Sequence, residues 1–186
     1  MTLVFVDDAS AADFLPFALT RPCCELRAGA LLVRQRWERA TRESTTGFVG
    51  APHLVHFDEP GAAPFVEGTI PAGSILVNAR CAVSLGTVDV TAPALRCDGK
   101  LAAVRLNEPT TVDSVMRNGG NLEAFAGQAS PAEIDGKWLD NVWDLIRHLP
   151  ELLSADIPHL AEWTDQGSTA ALEVIGSHPV FIEAEG

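Results

Sequence analysis

The run LVFV at residues 3–6, stopped by Asp7-Asp8, constrains the fold of this chain more than any other stretch. A short continuous apolar run ended by acidic residues reads as a buried strand. A loop with Pro16 and Pro22 follows, and then a helical pattern from Ala28 to about Arg42, with Leu31, Leu32, Gln35, Arg36 and Arg39 at helical spacing. Short strands are expected near Phe48-Val49 and from Leu54 to Phe57. The clearest later strand, Ile75 to Asn78, ends in a polar Asn-Ala-Arg step. Asp98-Gly99 suits a tight hairpin turn between alternating segments. A helix begun by Thr110 or Thr111 should break at Gly119-Gly120. KWLDNVWDLIRHLPELLSADI predicts an amphipathic helix with Trp143, Ile146 and Leu149 on one face. Strands with helices between them and no coiled-coil period predict an α/β fold with a parallel or mixed sheet.

The end of the chain has another character. In LEVIGSHPVFIEAEG, Ile175 and Phe181 stand six residues apart, with small polar residues between them. A six-residue period is the sign of a left-handed parallel β-helix, whose single coil cannot bury its own face. Residues 171–186 are therefore expected to be the first coil of a truncated β-helix, and the chain to be the N-terminal part of a longer protein. A single C-terminal hairpin strand is the other reading of these residues.

Charge limits the partners. The chain carries 13 Lys and Arg against 25 Asp and Glu, a net charge of −12, with no basic run. Nucleic acid needs a basic face to neutralise phosphates, and an anionic membrane needs a polybasic patch; neither partner is expected. A local basic pocket for a small anion is compatible with this charge. The opening MTLVFVDDAS does not read as a signal peptide, and no apolar run approaches the roughly 20 residues of a membrane span. The four cysteines, Cys23, Cys24, Cys81 and Cys97, fit no C-x-x-C pattern. They are expected to be reduced, buried thiols in a cytoplasmic protein.

In a doubly wound sheet, ligands bind at the carboxyl ends of strands. Two such ends stand out: Asp7-Asp8, and Asn78-Ala79-Arg80. The first is followed by LPFALTRPCCELRAG, which sets Arg21 and Arg27 among prolines and apolar residues. Guanidinium groups in a stiff loop suit bidentate grip on phosphate oxygens. Arg21 or Arg27 could equally pair with Glu25, Asp7 or Asp8, the commoner use of an arginine. The five histidines show no metal-ligand spacing. The four tryptophans read as core or interface anchors, and no Ser-His-Asp arrangement is visible.

The same stretch carries a resemblance. LPFALTRP, ELRAG, RQRWE at residues 34–38, VDD at residues 6–8, ILVNAR, DGKLAAVRL and NVWDLIRHLPELLSADI are together similar to a divergent bacterial group of sugar-1-phosphate nucleotidyltransferases. That group resembles the N-terminal domain of N-acetylglucosamine-1-phosphate uridyltransferase. The resemblance implies a Rossmann-like nucleotidyltransferase sheet with flanking helices at 1–165, followed at 171–186 by the first coil of a left-handed β-helix, whose missing C-terminal coils would form a homotrimer.

It also implies transfer of a nucleotidyl group from an NTP, UTP or dTTP, to a sugar 1-phosphate, with Mg²⁺. Arg21 falls in the phosphate-contacting segment of the better-known enzymes, and Arg27 lies further along it. Asn78 and Arg80 fall at the strand end that usually carries a Gly-Asp metal ligand, and Asp140 and Asn141 near the second metal-ligand position. Asp7 or Asp8, at the neighbouring strand end, could replace the carboxylate that ILVNAR lacks, and Asp8 is the one counted among the candidate substrate-binding residues. FVDDASAADF stands where the family has its glycine-rich loop. These two departures keep a second expectation alongside the transferase: a catalytically degenerate sugar-nucleotide-binding or assembly domain attached to a β-helix.

Overall fold

The structure is a computed structural model, and it describes residues 1–127, 130–163, 167, 173, 175–177 and 180–182. The main sheet is built around β1 (Thr2–Val6), parallel to both neighbours, β2 (Ser44–Val49) and β3 (Ile75–Asn78). Leu3 and Phe5 pack on one side with Phe14, Trp37, Phe48 and Val77. Val4 and Val6 pack on the other with Val49, Leu76, Val104 and Val115. Both faces of β1 are covered, and this is why its apolar run is unbroken.

The α1 helix (Val33–Thr41) crosses from β1 to β2. It begins later than its apolar spacing predicts, because Arg27–Ala28 first pairs back on Leu31–Leu32 around Gly29, whose φ is +70°. A Cβ at Gly29 would lie 2.3 Å from Asp156 Oδ2, so only glycine fits there. The helix ends at Arg42, left-handed at φ 60°, whose N–H still donates to Glu38 O.

β3 is followed by β4 (Cys81–Val83), which leaves the main sheet. β5 (Ala94–Cys97) and β6 (Lys100–Arg105) form the expected hairpin, turned on Asp98 and Gly99 with φ of 50° and 73°. After α2 (Val112–Arg117), whose N-cap Thr111 accepts from the Ser114 N–H, come β7 (Ala132–Glu133) and β8 (Gly136–Trp138). The main sheet is six-stranded in the order β7-β5-β6-β3-β1-β2, and β8 pairs with β4 beside it. This mixed sheet with flanking helices bears out the α/β expectation and has the character of a Rossmann-like fold.

Two local expectations fail. Leu54 to Phe57 forms no strand: Pro52–Leu54 is a single turn of 3-10 helix, begun by a proline that has no N–H for a ladder. The helix near the end is two, α3 (Asp144–Arg147) and α4 (Leu149–Trp163). Trp143 and Ile146 point outward, 71% and 68% exposed. Asp144 turns inward instead, because its Oδ2 accepts the N–H groups of Asp140 and Asn141. That capping contact sets the rotation of the turn, so Val142 and Leu145 meet the core.

The four cysteines are free and buried. No described helix is long and apolar enough to cross a membrane. The β-helix coil expected at 171–186 lies for the most part outside the described residues, and no β-helix is present among those described.

Candidate functional site

Register brings the two sequence-marked strand ends together. Val6 is the β-partner of Asn78, so Asp7-Asp8 and Asn78-Ala79-Arg80 leave the sheet side by side. The Ala79 N–H donates to Val6 O at 3.0 Å and the Arg80 N–H to Asn78 Oδ1 at 2.9 Å, which turns the Arg80 side chain back over the strand end. Asp8 caps the 3-10 helix Ala9–Phe14 through the Ser10 N–H.

Asp8 and Arg80 form a bidentate pair. Arg80 Nε donates to Asp8 Oδ1 at 3.0 Å, and Nη2 to Oδ2 at 2.7 Å. Asn78 Nδ2 donates to the same Oδ2 at 2.8 Å. Arg80 Nη1 donates to Leu139 O at 3.1 Å and lies 3.6 Å from Asp140 Oδ1. Lys100, the first residue of β6, donates to Asp140 Oδ1 at 2.5 Å. The Arg80 guanidinium and the Lys100 ammonium lie 5.2 and 5.3 Å from the Trp138 ring centre, within cation–π range. Asp8, Asn78, Arg80, Lys100, Trp138 and the turn at Asn118–Asn121 line a cavity of about 450 Å³.

Asp7 supports this edge from beneath. Its carboxylate accepts the Cys23 N–H at 3.1 and 3.3 Å, tying the proline-rich loop to the end of β1. Burial pushes its pKa up to about 7, opposed by the Cys23 N–H and aided by the charge of Asp8.

Arg21 and Arg27 do not join this cluster. Arg21 is half-buried and paired with Glu59 at 2.8 Å, a partner outside the expected set. Arg27 is exposed and donates to Ala30 O. Both line another cavity, of about 840 Å³, with Phe17, Leu26, Trp143 and Ile146. Glu25 is buried and engaged by Arg34 at 2.6 Å. Of the expected site residues, the structure thus gathers Asp8, Asn78, Arg80 and Asp140 around one cleft. Asn141 stands in the adjoining turn, where its Oδ1 accepts the Trp143 N–H. Lys100 and Trp138 were missed. Lys100 stood in view after the Asp98-Gly99 turn, but nothing local says that β6 lies beside β3.

The family model for sugar nucleotidyl transferases matches residues 3–164. The chain belongs to that family. No curated protein and no solved structure matches it. Family membership supports a nucleotidyl-transfer role in general terms.

Mg²⁺, which such transferases typically use, asks for hard oxygen ligands in near-octahedral geometry. Here both oxygens of Asp8 are taken by Arg80, with Asn78 and the Ser10 N–H as further donors. Asp140 is held by Lys100, and the Asn141 oxygen caps its own turn. Among the described residues no three of His, Cys, Asp and Glu converge as a metal site. This donor set does not fit Mg²⁺ as it is arranged. Residues 9–14, where the resemblance places a glycine-rich loop, form a 3-10 helix capped by Asp8.

Proposed function

We propose that this sugar nucleotidyl transferase moves a nucleotidyl group from UTP or dTTP to a sugar 1-phosphate, giving a nucleotide sugar and pyrophosphate. A phosphate oxygen of the sugar 1-phosphate attacks the α-phosphorus. The new P–O bond forms as the α–β bridge breaks, and pyrophosphate leaves with the electron pair. Little covalent chemistry is asked of the protein; it must position the two phosphates and offset their charge.

The observation that carries this reading is the pairing of two cations, Arg80 and Lys100, over Trp138 at the carboxyl edge of the parallel strands, in a chain of this family. Arg80 and Lys100 are the groups assigned to the phosphates, Asn78 and Asp8 hold Arg80 in place, and Trp138 fixes both cations. Arg21 and Arg27 are secondary candidates, because Glu59 already neutralises Arg21 and both line the other cavity.

A second reading keeps nucleotide-sugar binding without transfer. The engaged carboxylates of Asp8 and Asp140 favour it. Pyrophosphate release, measured for UTP and dTTP against a panel of sugar 1-phosphates, separates the two. Release with one pair, lost in Lys100→Met, supports the transferase. Silence with every pair, from folded protein that still binds a nucleotide sugar, leaves the second reading.

A further inference from the structure

We infer that the strand-end cleft grips the phosphate of its ligand with Arg80 and Lys100 alone, and that no metal ion takes part in that binding. The inference rests on the nucleotide-sugar reading of the cleft.

The argument begins with the lone pairs of Asp8. A carboxylate offers about four acceptor positions, and Asp8 receives four donors: Ser10 N and Arg80 Nε on Oδ1, Asn78 Nδ2 and Arg80 Nη2 on Oδ2. A divalent ion could enter only by displacing one of these donors, and Arg80, which spans both oxygens, is the one that would repel it by charge. The Arg80 side chain is 10% exposed, and away from Asp8 it would keep as hydrogen-bond or ion partners Leu139 O and the more distant Asp140. Removing one partner from a buried pair is costly. The carboxylate of Asp8 is thus committed to holding an arginine.

Asp140 has the opposite character. Its side chain is 59% exposed, and its Oδ1 sits 2.5 Å from Lys100 Nζ and 3.6 Å from Arg80 Nη1. One oxygen facing both cations is the arrangement that a phosphate oxygen would make. Asp140 can swing into water and give up that place at small cost, since exposed pairs contribute little. Lys100 has three N–H donors, of which Asp140 takes one, and the Trp138 face keeps the ammonium over the cleft. Two fixed cations thereby provide the charge for which a divalent ion would otherwise be recruited.

Calorimetric titration with UDP- and dTDP-sugars, once with a chelator and once with Mg²⁺, tests this. Equal affinity in both conditions is expected for the sugar that binds. Lys100→Met should weaken binding roughly tenfold or more, the worth of a lost charge-assisted hydrogen bond. Lys100 is half-exposed on a hairpin, so this variant keeps its fold, whereas Arg80→Met would strand Asp8. Asp140→Asn gives the sharpest contrast, because removing a competing anion tightens binding, while removing a metal ligand weakens it. Binding that requires Mg²⁺, or that Asp140→Asn weakens, overturns the inference and leaves the transferase reading standing. No binding in either condition overturns both.

Discussion

Arg36 donates to Asp156 Oδ2 at 2.7 Å with the two side chains 1% and 0% exposed, joining positions 120 residues apart. Arg36 also donates to Val83 O at 2.7 Å and Ala28 O at 3.0 Å, and Asp156 accepts the Ala30 N–H at 3.0 Å. One buried pair therefore clamps α4, β4 and the Arg27–Leu32 hairpin together.

Breaking that pair from one side leaves an uncompensated charge in the core. Asp156→Ala is expected to cost roughly 3–5 kcal/mol in a denaturant titration. The double variant Arg36→Met with Asp156→Leu should recover much of it, since two apolar groups leave no charge behind. A single variant as stable as wild type would contradict the clamp.

Asp7 gives the fold a pH dependence of definite sign. Its folded pKa is about 7 against an ordinary aspartate value of 3.8, so between those limits the native state holds a proton that the unfolded chain has lost. Stability from this group is present in acid and falls as pH rises from about 4 to about 7, by on the order of 4 kcal/mol. Asp7→Asn keeps an acceptor for the Cys23 N–H and removes the titration. Thermal unfolding of the variant should therefore be flatter over this range, and an identical slope in both proteins would refute the assignment.

What the sequence made legible follows from local physics. LVFV and ILVN were readable because a strand covered on both faces must be continuously apolar, and the β5–β6 hairpin because Asp98 and Gly99 accept positive φ. Asp8, Asn78 and Arg80 were readable as candidates because strand ends are where side chains leave a sheet. The site itself was not readable. Lys100 reaches the cleft only because β6 runs antiparallel beside β3, and no local pattern encodes that pairing. Arg36 looked like one more charge on a helix face, since the carboxylate that allows its burial lies far along the chain. Arg21 and Arg27 had the right chemistry for phosphate, yet the loop takes them to another cavity.

Gly120 is where backbone fit shapes the cleft. It stands at φ +70°, and a Cβ there would lie 2.8 Å from Asp8 Cα and 3.0 Å from Asp7 O. Both obstacles are backbone and cannot rotate away. Gly120→Ala should destabilise by roughly 1–3 kcal/mol and displace the turn from Asp8, weakening ligand binding as well. Gly127 has a similar φ of +60° but nothing within 4 Å, so Gly127→Ala carries the conformational strain without the collision. Equal losses in the two variants would remove the close approach as the cause.

Trp143 tests the rotation of the α3 turn. Helical spacing predicts it on the buried face with Ile146, where truncation would cost roughly 3–5 kcal/mol. In the structure it is 71% exposed, and Asp144 holds the inward position by accepting the Asp140 and Asn141 N–H groups. Trp143→Ser is therefore expected to change stability by no more than about 0.5 kcal/mol. Asp144→Ala should be the damaging change instead. It removes the acceptor of two backbone donors beside the cleft and the partner of Arg147 at 2.6 Å, at a cost of roughly 1–3 kcal/mol. Chemical denaturation of the two variants side by side decides the matter: a large loss in Trp143→Ser with a small one in Asp144→Ala would turn the helix back to the face that its apolar spacing predicts.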